Sequence, residues 1–154
     1  GLSISRVGCI RVEGDEYPAR AVSILRESGA AGNMAVFVEW GDYVLWHLGP
    51  RVKVSGDTRR EMVYSDPIYR GNLRLLYGTA EWDTLLRARD TQLALVSKRF
   101  PTFNLMVLEP EWLLVSEDRA SGLFARRGSA VAERLSWAER RIHGEADEQP
   151  GCFR

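Results

Sequence analysis

The sequence is short of the residues that most often announce a chemistry. Its 154 residues include two cysteines and two histidines. Cys9 and Cys152 stand near opposite ends and match no CxxC or other metal-ligand spacing, which excludes a cysteine-built zinc site and a disulfide-dense scaffold. A bond between them would close almost the whole chain from within a polar tail, and two separate thiols is the plainer reading. His47 and His143 share no ligand spacing. His143 falls where a C-terminal helix ends and suits the helix dipole there. His47, between Trp46 and Leu48, reads as a packed helix residue rather than a base. No apolar run approaches the ~20 residues needed to span a bilayer, and there is no signal peptide. A GxGxxG turn after a strand, a Walker loop and a Gly-x-Ser-x-Gly elbow are all missing, so no cofactor and no catalytic residue is implied. The net charge is zero, from 21 basic and 21 acidic residues. No global field therefore draws nucleic acid or an anionic membrane to the chain.

What is present is ordinary globular material, with 45% hydrophobic and 27% charged residues. The length suits one domain with one good core. We expect a single α/β domain over residues 1–144 and a polar, mobile tail over 145–154. The chain opens on Gly1 rather than Met, which reads as the remnant of a cleavage and leaves room for a longer parent.

Strand and helix signals alternate along the chain. Ser3 to Val12 alternates apolar and polar residues as a strand does, and Tyr17-Pro18 opens a helix that Gly29 and Gly32 end. Met34 to Val38 is short and continuously apolar, which suits a strand covered on both faces. A short helix runs through His47 to Gly49-Pro50, and Val52-Lys53-Val54 forms the next strand. A helix starts at Asp66-Pro67, and Thr79-Ala80-Glu81-Trp82 has the pattern that begins another. Leu93 to Val96 is a buried strand, and Phe103 to Leu108 one or two helical turns. Trp112 to Val115 and Leu123 to Ala125 make a hairpin around Asp118 to Gly122. Ala130 to Ile142 is amphipathic, with Val131, Leu135 and Trp137 or Ala138 inward. The alternation predicts a three-layer fold: a mostly parallel sheet of five or six strands, with an antiparallel C-terminal hairpin.

In such sheets ligands bind beyond the carboxyl ends of the strands. Three predicted strands end in polar residues: Glu39-Trp40-Gly41-Asp42, Asp57-Thr58-Arg59-Arg60 and Ser97-Lys98-Arg99. If the strands are neighbours, carboxylates and guanidiniums gather at one edge, with Asp57 and Arg59 close enough to pair. We take Trp40, Asp42, Asp57 and Arg59 as candidate ligand-binding residues for a small polar or anionic ligand. The plainer alternative is an ion-pair network that pins the loops together. A metal site is not implied, because Asp42 and Asp57 lack a third ligand at a suitable spacing. A nuclease reading fails because Lys98 has no acid beside it on its strand. Of the five tryptophans, Trp40 is the one expected to be exposed. Trp46, Trp82, Trp112 and Trp137 sit on apolar faces and read as core.

The run from Val36 through Trp40-Gly41-Asp42-Tyr43, Gly49-Pro50 and Val52-Lys53-Val54 to Asp57-Thr58-Arg59 and Tyr64 carries a resemblance. It resembles the soluble C-terminal domain of bacterial multi-pass membrane proteins of the dolichyl-phosphate-mannose-protein mannosyltransferase type. There a strand leads into a Trp-Gly-x-Tyr helix, a Pro, a strand ending in Asp-Gly-Arg, and a Tyr. Tyr17-Pro18-x-x-Ala21, Trp82, Trp112 with Asp118, and Phe124-x-Arg126 fit the same pattern, so the resemblance covers residues 17–127. Thr58 departs from the family's Gly. The acids proposed as catalytic in that family lie between membrane helices, outside this chain, so no catalytic residue carries over. The resemblance implies a noncatalytic accessory domain on the extracytoplasmic side of a membrane glycosyltransferase-like protein. Its partners would be the parent membrane domain and a lipid-linked sugar or an acceptor. Without such a parent, the alternative is a free-standing cytoplasmic module that binds a small polar or anionic ligand.

Overall fold

A computed structural model of the chain describes residues 10–11, 16–56, 65–88, 90–143 and 152–153. The first short strand, β1 (Ile10–Arg11), pairs antiparallel with the last, Cys152–Phe153, in a small sheet of their own. The remainder of the expected opening strand, with Cys9, lies outside the described residues, as do most residues of the expected tail.

The first helix, α1 (Ala19–Ser28), has Pro18 at its N-cap and ends at Gly29, whose φ of 63° is the left-handed turn that glycine adopts without a Cβ penalty. β2 (Gly32–Val36) follows, then a 3-10 turn over Val38–Trp40, α2 (Gly41–Leu48) and β3 (Val52–Val54). α3 (Asp66–Tyr77) starts at the expected Asp66-Pro67, and α4 (Thr84–Arg87) is a single turn. β4 (Thr91–Ser97), α5 (Thr102–Leu108), β5 (Trp112–Glu117), β6 (Ser121–Arg126) and α6 (Ala130–His143) complete the main body. One helix start moved. Thr79 does not begin a helix, because Glu81 takes a φ of 58° and turns the backbone out of helical geometry until Thr84.

The five-stranded sheet has the order β3-β2-β4-β6-β5. β2 is parallel to both β3 and β4, whereas β6 is antiparallel to both β4 and β5. Every strand but β6 therefore points the same way. The three-layer α/β expectation holds, with the parallel part at one end and the hairpin at the other. The hairpin places β6 beside β4 and leaves β5 on the edge.

Alternation along the strands divides the core in two. Met34, Val36, Leu93, Leu95, Leu123 and Ala125 face one side, with α1, α2 and α6 over them. Ala35, Ala94, Val96 and Phe124 face the other side, against Leu75 of α3, Leu86 of α4 and Met106 of α5. On the first side small residues let helices approach closely: Ala21 of α1, and Ala132 and Ala138 of α6. On the second side close approach is made at Gly122, where a Cβ would stand 2.5 Å from the Phe103 ring.

Three tryptophan expectations reverse. Trp40 is 4% exposed, because the 3-10 turn folds it inward and its indole Nε1 donates to the Glu16 carbonyl at 2.9 Å. Trp46 is 73% exposed: Val44 and Leu48 point into the core, and at 100° per residue position 46 falls on the opposite side of α2. Trp137 is also exposed over about half its surface, beneath the Arg141 guanidinium, while Ala138 takes the inward position. No helix among the described residues is long and apolar enough to cross a membrane.

Candidate ligand-binding crevice

The chain leaves the carboxyl end of β2 toward α2 on one face, and the carboxyl end of β4 toward α5 on the other. Adjacent parallel strands whose connections part in this way open a crevice between them, and a doubly wound sheet binds its ligands in such a crevice. Two cavities lie there. The three strands whose polar ends drew attention in the sequence, β3, β2 and β4, are indeed neighbours.

The first cavity has a volume of about 200 Å³ and is mainly apolar. Phe37, Tyr69, Leu75, Tyr77, Val96 and Phe100 are among its apolar and aromatic lining, and Asn72, Ser97 and Glu39 add polar groups. The Phe37 and Phe100 rings are 5.4 Å apart, and Tyr77 meets Phe100 edge-on at 6.1 Å. This is the geometry that aromatic quadrupoles favour.

One wall of this cavity is fixed by Asn72. Ser55 Oγ donates to Asn72 Oδ1 at 2.8 Å and accepts from the Val36 N–H at 3.1 Å. Asn72 Nδ2 donates to the Ser55 carbonyl at 2.7 Å and to the Ile68 carbonyl at 3.0 Å. β3 ends at Val54, one residue too early to pair that amide, and the Ser55 hydroxyl stands in for the missing strand partner. Gly56 lies so close that a Cβ would be 3.1 Å from Asn72 Nδ2.

The second cavity, about 250 Å³, is polar. It is lined by Glu16, Glu39, Arg99 and Arg119, with Ser97, Tyr17 and the buried Trp40. Arg99 makes no ion pair among the described residues. Phe37, Glu39 and Ser97 line both cavities, so the two chambers share a wall.

The four residues singled out from the sequence fare differently. Trp40 lines the polar chamber from within the core, and its indole N–H is already engaged by the Glu16 carbonyl. Asp42 is exposed in the first turn of α2, where a carboxylate suits the positive end of the helix. Asp57 and Arg59 lie outside the described residues. The residues that sequence reasoning passed over are Phe37, Asn72, Phe100 and Arg119. Asn72 did leave a signal: it interrupts the stripe Ile68, Leu75, Leu76 at the i+4 position, where a core-facing helix carries an apolar residue.

Neither histidine lines either cavity. His47 lies against the Tyr43 ring at 4.5 Å, with its Nδ1 2.8 Å from Arg26 Nη2. Burial, and then the Arg26 charge, hold its pKa below the usual imidazole value. Burial likewise raises the Tyr43 phenol, against a lowering pull from Arg26. His143 sits by Glu139 at 3.6 Å and Arg20 at 3.3 Å, at the end of α6. Among the described residues no group of three or more His, Cys, Asp or Glu gathers as a metal site.

No protein-family model, no curated protein and no solved structure matches this chain.

Proposed function

We propose that this chain is a noncatalytic binding module whose ligand occupies the crevice between the carboxyl ends of β2 and β4. The observation that carries this reading is the pair of adjoining chambers at the carboxyl ends of β2 and β4, adjacent parallel strands whose connections diverge to opposite faces. Volumes of about 200 and 250 Å³ together suit a small molecule, for which sites run roughly 300–1,000 Å³. Binding is favoured over turnover by the position of His47 and His143, the readiest bases in the sequence, away from both chambers. In the setting that the family resemblance implies, the module would be an extracytoplasmic accessory domain of a membrane glycosyltransferase-like protein. It would there engage an acceptor or a lipid-linked sugar.

A thermal-shift screen tests the proposal, with sugars, polyprenyl phosphates, nucleotides, amino acids, organic acids and divalent metals as its arms. A ligand at a hundred times its Kd stabilises the folded state by about 2.7 kcal/mol. For a domain of this size that raises the melting temperature by about 5–10 °C. Leu73→Trp narrows the apolar chamber from its outer edge, where Leu73 is already partly exposed. It should abolish the shift while leaving the unliganded melting temperature within about 2 °C, as surface changes do. A shift that survives Leu73→Trp would place the ligand elsewhere, and turnover of a glycosyl donor by the chain would overturn the noncatalytic reading.

A further inference from the structure

The two chambers differ in the chemistry they present, and the difference specifies a ligand more closely than size does. The apolar chamber offers the rings of Phe37, Tyr69, Tyr77 and Phe100 to a flat or branched hydrocarbon group. The polar chamber offers charges of both signs, the carboxylates of Glu16 and Glu39 and the guanidiniums of Arg99 and Arg119. A purely anionic ligand there would face two carboxylates, and a purely cationic one two guanidiniums; each like-charge approach is unfavourable. A head that carries both signs meets a complement for each. Phe37, Glu39 and Ser97 line both chambers, so a ligand that reaches into both carries its charged head close to its apolar body, with no long spacer.

Resting on the crevice reading above, we infer that the site takes a small zwitterion with an apolar body, namely a free α-amino acid with a large apolar side chain. Its side chain occupies the apolar chamber beside Phe37 and Phe100. Its ammonium group faces Glu39 and Glu16, and its carboxylate faces Arg99 and Arg119, whose planar forks suit a carboxylate's two oxygens.

Calorimetric titration of the full chain tests this with L-phenylalanine, L-leucine, glycine, 3-phenylpropionate and phenethylamine. The two apolar amino acids should bind. Glycine, which lacks the body, and the two analogues with one charge each should bind at least tenfold more weakly. Arg99→Gln and Glu39→Gln, both at exposed positions, should each weaken L-phenylalanine about tenfold, the size of one charge-assisted hydrogen bond. Should either variant lose its fold, the single-charge analogues decide the matter alone. Absence of binding by both apolar amino acids overturns the inference, and so does equal binding of 3-phenylpropionate or phenethylamine. So do intact variants of unchanged affinity. A compound of another class that stabilises the wild type but not Leu73→Trp also overturns it, and leaves the crevice reading standing. If no compound in the screen stabilises the chain, both fail.

Discussion

The two faces of the sheet are built to different ends. The face covered by α1, α2 and α6 carries the larger cluster: Ile24, Leu25, Val44 and Leu135 are wholly buried in it together with the strands. The face covered by α3, α4 and α5 has the smaller cluster, reaches contact through glycine at Gly122, and leaves its helix ends apart around a cavity. The larger core therefore lies on one face and the apolar chamber opens on the other, while the polar chamber is walled by Tyr17, Trp40 and Ala120 at the rim of the first.

Substitution on the face with the larger cluster should have the largest effect. Leu135→Ala removes a side chain with no exposure from the centre of that cluster. Loss of burial plus the cavity left behind should cost about 2–5 kcal/mol, read as a lower urea midpoint at unchanged slope. A cost below about 1 kcal/mol would break the contrast between the faces.

On the open face the limiting factor is room. Gly122→Ala drives a methyl into the Phe103 ring, which must move, and should cost about 1–3 kcal/mol. Phe103→Leu in the same chain should recover part of that loss, because the two positions touch and their effects are not additive. Additive losses in a double-mutant cycle would show that the Phe103 ring is not what limits the position.

The smallest effect belongs to pH. His47 has its pKa lowered in the folded state, so between that value and the unfolded value of about 6.5 the unfolded chain binds the extra proton. Stability is thus fully present above about pH 6.5 and falls as the pH drops through the folded pKa. His47→Gln should flatten that acid loss in melting curves recorded from pH 7.5 to 5. An equally steep loss in the variant would assign the acid sensitivity to other groups.

The two faces also differed in how plainly the sequence announced them. Met34 to Val36 and Leu93 to Val96 are continuous apolar runs, and they became the central parallel strands buried on both sides. Asp66-Pro67 marked the start of α3, because proline acts through a backbone torsion that needs no tertiary context; its end, at Gly78 with a φ of 60°, went unread although glycine acts in the same way. The tryptophans were misread for the opposite reason. Which side of a short helix faces inward depends on where the helix lands, and α2 lands with Val44 and Leu48 inward and Trp46 out. The crevice was legible as a location, since the polar ends of neighbouring strands converge there. Its lining was not, because Asn72 and Tyr69 arrive from α3 and Arg119 from the β5–β6 turn, distant in sequence and joined only by the fold.

The bridge from Val36 through Ser55 to Asn72 makes one amide a timekeeper. The Val36 N–H is held by a hydroxyl, and that hydroxyl is held by a helix residue seventeen positions further along. When α3 lifts from the sheet, Ser55 loses its orientation and that amide is released to solvent. Its deuterium uptake therefore counts how often the wall of the apolar chamber opens, and a molecule lodged inside should slow that clock.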